Sequence, residues 1–126
     1  MSLRTAILQR RERLTRTIAD LEERYWSNEP IETLVLALTQ TFDSIIAELW
    51  RQHFAKTDGC ALFAVGGYGR AELHPGSDID ILVLTHKSNP NREAVEAFLR
   101  DLFDLNVEVG HSVRDIEACV RECRSD

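Results

Sequence analysis

Asp78 and Asp80 stand two residues apart in Asp78-Ile79-Asp80-Ile81-Leu82, a run with the composition of a strand. On a strand, residues i and i+2 face the same way, so both carboxylates project from one face while Ile79 and Ile81 turn toward a core. Two anions held side by side repel, each prefers to be protonated, and strands disfavour Asp. A cation between them relieves the repulsion, and Mg²⁺ takes carboxylate oxygens together with substrate phosphates. The competing use of such a pair is at a strand end, where acids cap turns or meet an arginine.

Upstream, the apolar run Ala61–Val65 leads straight into Gly66-Gly67-Tyr68-Gly69. Glycines after a strand let the backbone approach a ligand closely and expose N–H groups, which suits a triphosphate. Ten residues separate Gly67 from Asp78, enough for a short helix that returns the chain to a neighbouring strand. The glycine turn and the acid pair can then face one pocket. A third acid, Glu108, lies between Val107 and Val109 in the next apolar stretch. An acid on a core strand is costly unless paired or metal-bound. Three carboxylates and two Mg²⁺ ions are the parts of a two-metal phosphoryl-transfer site.

The elements that must position these groups follow from periodicity. Ile7, Leu14, Ile18, Leu21 and Tyr25 form one stripe on a first long helix. Ser27-Asn28-Glu29-Pro30 interrupts it, with Ser27 or Asn28 as candidate cap and Pro30 in a first-turn position. Ile31, Leu34, Leu38, Phe42, Ile45, Leu49 and His53 line a second helix, expected to pack antiparallel on the first. The arginines of the first helix alternate with Glu12, Glu22 and Glu23, which reads as a solvated face, and Trp26 and Trp50 read as packing residues. After a turn at Lys56–Gly59 come strands at Ala61–Val65, Asp78–Leu84 and Val107–Val113, with helices at Arg92–Leu105 and Asp115–Arg124. Two helices followed by β, short α, β, α, β, α make an α/β domain with a small sheet. A helical hairpin over 1–56 and a core over 57–126 are expected to form one compact unit.

Composition narrows the function. The chain has 126 residues and a formal net charge of −6, a poor basis for binding nucleic acid through its phosphates. No run of 18 or more apolar residues exists, so no membrane span is expected. Cys60, Cys119 and Cys123 cannot all pair within one chain. Cys119 and Cys123, one helical turn apart, lack the further ligands of a zinc site and read as small apolar fillers. Reduced thiols without an export signal point to the cytoplasm.

Gly66-Gly67, ten residues, then Asp78-Ile79-Asp80 resembles the signature of the DNA polymerase β-type nucleotidyltransferase superfamily. More narrowly, Gly66-Gly67-Tyr68-Gly69-Arg70, Glu72-Leu73, His74-Pro75, Ser77-Asp78-Ile79-Asp80 and Glu108-Val109-Gly110-His111-Ser112-Val113-Arg114 resemble the bacterial PII-protein uridylyltransferase/uridylyl-removing family. Residues 61–114 carry nearly all of the likeness. The resemblance implies a polymerase β-type core, a small mixed sheet flanked by helices and preceded by the hairpin. It implies transfer of UMP from UTP to a tyrosine hydroxyl of the signalling protein PII, with release of pyrophosphate, in nitrogen regulation. By residue, it implies that Gly66 and Gly67 hold the triphosphate, with Arg70 and Ser77 as further nucleotide-binding candidates. Asp78, Asp80 and Glu108 are its Mg²⁺ ligands and catalytic acids, any of which would help deprotonate the incoming hydroxyl. Arg70 has two uses open to it, a phosphate contact or a pair with Glu72 or Asp78.

Members of that family are several times longer and carry an HD hydrolase domain and glutamine-sensing ACT domains. No His-Asp dipeptide occurs here, so the chain is expected to be an N-terminal piece without the removing activity, and inactive alone. His111 reads as a structural histidine and His74-Pro75 as turn-shaping. An adenylyltransferase of the same type is the near alternative, disfavoured by Tyr68-Gly69-Arg70 and Gly110-His111-Ser112. A non-catalytic nucleotide-binding module is the distant one, disfavoured by the retained acids.

Overall fold

A computed structural model describes residues 3–54, 59–70, 78–86, 88, 91–117, 120 and 121. Two long helices open the chain, α1 (Leu3–Trp26) and α2 (Ile31–His53). Strand β1 (Ala61–Val65) runs directly into the single turn α3 (Gly66–Gly69), followed by β2 (Ile79–Thr85), α4 (Arg92–Phe103) and β3 (Val109–Asp115). The sheet order is β1-β2-β3, antiparallel between β1 and β2 and parallel between β2 and β3. The expected α/β architecture, with a small mixed sheet behind two N-terminal helices, is what forms. The parallel pair needs a crossover, and α4 supplies it.

The short connection between Trp26 and Ile31 makes the hairpin antiparallel, so polar side chains in the first half of α1 meet the second half of α2. Arg13 donates to Glu48 Oε1 at 2.9 Å and to Ser44 Oγ at 2.8 Å, and Arg10 reaches Gln52 Oε1 at 3.2 Å. The arginine face is therefore only partly solvated, and Arg11 extends further, donating to the backbone carbonyl of Asp104 just after α4. Leu14 and Leu21 are buried as the helical stripe requires, whereas Tyr25 leaves it and is exposed. Trp26 is 75% exposed and meets Tyr25 edge-on, so only one tryptophan packs as expected. Trp50 is that one, stacked on Phe54 with ring centroids 3.9 Å apart and edge-on to Phe98 of α4.

The helix entry also differs from expectation. Pro30 itself is the N-cap of α2, while the Ser27 hydroxyl donates back to the Glu23 carbonyl. No side chain caps this end; the Pro30 carbonyl accepts the Thr33 and Leu34 N–H groups at 3.1 and 3.3 Å and so starts the helical ladder. A single cluster of buried side chains joins Leu38, Ile45 and Leu49 of α2, Ile79, Ile81 and Val83 of β2, and Phe98 and Leu102 of α4. On β2 the burial alternates strictly, with Asp80, Leu82 and Leu84 on the less buried face. The third strand begins two residues later than its apolar content suggests. Asn106 takes a positive φ of 63° in the turn that ends α4, and pairing starts only at Val109. Residues 116, 117, 120 and 121 are helical, with Ile116 and Val120 exposed. Cys119 and Cys123 lie outside the described residues.

Candidate functional site

The site is built where β1 ends, β2 begins and β3 begins. Asp80 is the second residue of β2, opposite Val65 of β1 and Gly110 of β3. Its carboxylate occupies a slot between two glycines. A β-carbon built on Gly110 would lie 2.3 Å from Asp80 Oδ1, a separation that no side chain tolerates. On the other side, a β-carbon on Gly66 would lie 3.0 Å from Asp80 Oδ2. Gly66 also takes φ 60°, which L-residues other than Asn and Asp rarely adopt. With Asp80 so placed, a side chain at Gly110 would displace its carboxylate, and Gly66 is favoured both by the close approach and by its backbone conformation.

Gly66 turns the chain from β1 into α3, which the Arg70 N–H closes by donating to the Gly66 carbonyl at 3.2 Å. Arg70 is exposed, and its guanidinium reaches back so that a β-carbon on Gly67 would lie 4.0 Å from Nη2. Gly66, Gly67, Arg70 and Asp80 thus share one neighbourhood. Ser77, together with Glu72, His74 and Pro75, falls outside the described residues.

Asp78 precedes β2 by one residue and is exposed. Glu108 precedes β3 in the same way, and its carbonyl accepts the Ile79 N–H at 2.9 Å. The expectation of a costly acid inside an apolar strand fails here, because Glu108 stands ahead of the ladder and is exposed. Among the described residues no three of His, Cys, Asp and Glu are grouped so as to hold a metal ion. A three-carboxylate cluster of Asp78, Asp80 and Glu108 therefore does not form in this conformation. Asp78 and Asp80 suffice chemically, since Mg²⁺ commonly uses one or two carboxylates and completes its shell with phosphate oxygens and water.

Three residues that periodicity did not single out shape the surroundings. Gly110 is one, part of the family-like motif and, as a glycine in a strand interior, a mark of close approach. Tyr68 and Asp43 are the others, bonded from the Tyr68 hydroxyl to Asp43 Oδ1 at 2.6 Å. Burial first, and then the carboxylate acceptor, push the Tyr68 phenol well above its ordinary range, so it stays a neutral donor. His111 is on the strand face opposite Gly110 and stands edge-on to Phe103, with centroids 5.7 Å apart, away from Asp80. A cleft of about 470 Å³ lined by Thr85, Arg92, Glu96, Arg114 and Asp115 lies at the far end of β2. It is five residues, roughly 16 Å, from Asp80 along the strand.

With that geometry in place, the comparisons with known proteins are decisive at the level of the family. Residues 44–125 match the nucleotidyltransferase domain family. The chain belongs to it. The match begins within α2, so Asp43 stands one residue ahead of it, while Tyr68, Asp78, Asp80 and Gly110 all fall inside. This nucleotidyltransferase domain is 41% identical over 109 residues to the bifunctional uridylyltransferase/uridylyl-removing enzyme of Pseudomonas putida strain W619. It is 42% identical over 109 residues to the enzyme so named in Vibrio campbellii, and 43% identical to that of Ectopseudomonas mendocina. These alignments cover 83–84% of the chain but only 12% of each relative. No solved structure matches the chain. Among the described residues no helix is long and apolar enough to cross a membrane.

Proposed function

We propose that this nucleotidyltransferase domain transfers UMP from UTP to a protein tyrosine hydroxyl, with the signalling protein PII as acceptor, and releases pyrophosphate. The observation that carries the reading is the Asp80 carboxylate held between Gly66 and Gly110 beside the glycine turn. The likeness to relatives named uridylyltransferases favours uridine over adenine.

In this reading Gly66 and Gly67 let the triphosphate approach the backbone, and Arg70 beside Gly67 supplies positive charge to it. Asp78 and Asp80 would hold Mg²⁺, which when bound would neutralise phosphate charge and polarise the phosphoryl oxygens. Gly66 and Gly110, lacking β-carbons, leave the room that the Asp80 carboxylate takes beside the glycine turn. The tyrosine oxygen attacks the α-phosphorus in line. The bond from that phosphorus to the bridging oxygen breaks, pyrophosphate leaves with the electron pair, and the hydroxyl proton passes to a neighbouring carboxylate.

The test is metal- and nucleotide-linked stability. Mg²⁺ with UTP should raise the melting temperature of the wild-type chain, since a ligand bound only by the folded state stabilises it by mass action. The double variant Asp78→Asn/Asp80→Asn should lose that shift. An equal shift in both proteins would show that the aspartate pair is not the metal site.

A further inference from the structure

The four residues of α3 are Gly66, Gly67, Tyr68 and Gly69, so three of them have no side chain with which to fix the turn in place. Glycine segments are conformationally permissive, and a turn so composed needs an anchor. Tyr68 is the only residue of the turn with a side chain to bury, and it is 5% exposed. Its hydroxyl ends on Asp43, a carboxylate on the solvent-exposed side of α2, at 2.6 Å and 25 residues away in sequence. A hydrogen bond to an ionised acceptor is the stronger kind. Gly66, at the start of the same turn, forms one wall of the Asp80 slot.

We infer that Tyr68 and Asp43 are positioning residues, which set the glycine turn against the Asp80 carboxylate and so make nucleotide affinity depend on α2. This rests on the nucleotide-binding reading above. Neither residue needs to touch the nucleotide. Tyr68 supplies the connection and Asp43 supplies the fixed point, on a helix whose Phe42 and Ile45 are buried in the core.

The experiment uses the whole chain with MgUTP as probe, and compares wild type with Tyr68→Phe, Asp43→Asn, Asp43→Leu and the pair Tyr68→Phe/Asp43→Leu. Two quantities are read, MgUTP affinity by calorimetry and amide hydrogen exchange residue by residue. Tyr68→Phe and Asp43→Leu should each weaken MgUTP by roughly tenfold, the scale of one charge-assisted hydrogen bond. The pair should be no worse than either alone, because both remove the same contact. Asp43→Asn keeps an oxygen acceptor and should retain most of the affinity. Amides of residues 66–70 should exchange at least several-fold faster in Tyr68→Phe, while those inside α2 and β2 keep their wild-type rates. Unchanged exchange in the turn would overturn the inference, as would additive losses of affinity in the pair. If the wild-type chain bound no MgUTP, the nucleotide reading would fail by itself, and the exchange rates would still decide whether Tyr68 and Asp43 fix the turn.

Discussion

Asp80 and Glu108 begin as similar features, each an acid flanked by branched apolar residues, yet the fold treats them oppositely. Asp80 lies inside the ladder, half-buried, with a glycine on either side of its carboxylate. Glu108 lies one residue ahead of β3 and is exposed. What separates them is where pairing starts. The turn after α4, with Asn106 in the left-handed region, consumes residues that their apolar content assigns to a strand. An acid between two valines is costly only if both valines are inside the sheet. Asp101 adds a third case. It is buried in α4 and meets His53 Nε2 at 2.6 Å, an acid satisfied by a protein partner and left with no evident ligand.

The sharpest way to break this contrast is to fill the slot. Gly110→Ala places a methyl group where Asp80 Oδ1 now lies, so the carboxylate must leave. MgUTP binding should fall by more than tenfold in calorimetry, with overpacking costing about 1–3 kcal/mol of stability in denaturant unfolding. Retained affinity in a folded Gly110→Ala protein would mean that the slot does not orient Asp80. A smaller effect is expected at Asp101. Its replacement by Ala leaves His53 without its partner and should lower stability by about 1–3 kcal/mol, with MgUTP affinity of the folded protein unchanged. Smallest of all is Glu108→Gln, which should leave the unfolding free energy within about 0.5 kcal/mol of wild type. It should also leave the Mg²⁺-linked melting shift intact. Loss of that shift would restore Glu108 to the metal site and end the distinction drawn here.

Much of this was legible in the sequence, for identifiable reasons. The stripe containing Leu34, Leu38, Phe42, Ile45 and Leu49 is long and strongly periodic, and β1 is bounded by Cys60 and Gly66 where its apolar run is. The i, i+2 spacing placed Asp80 on the face opposite Ile79 and Ile81, as the alternating burial of β2 shows. What escaped depends on contacts distant in sequence. Nothing local tells that the Tyr68 hydroxyl finds Asp43, or that His53 on an apolar helix face finds Asp101. Trp26 is exposed at the end of α1, and hydrophobicity alone does not tell whether a helix end finds a neighbour to pack on. Glu108 is exposed, although two valines flank it, because a shift of two residues in a strand boundary leaves it ahead of the ladder.

The Asp80–Gly110 pairing has a consequence for how the sheet assembles. The parallel β2–β3 pair is joined through the α4 crossover, so no tight hairpin sets its alignment. A slip of two residues would keep every side chain on its proper face and so escape the usual penalty of misalignment. Here it does not escape. Slipped one way, Glu108 comes opposite Asp80 and two anions are pressed together. Slipped the other way, the Ser112 side chain enters the space that Gly110 leaves open. The aspartate that would hold a cation thus also makes both two-residue slips of the sheet unfavourable.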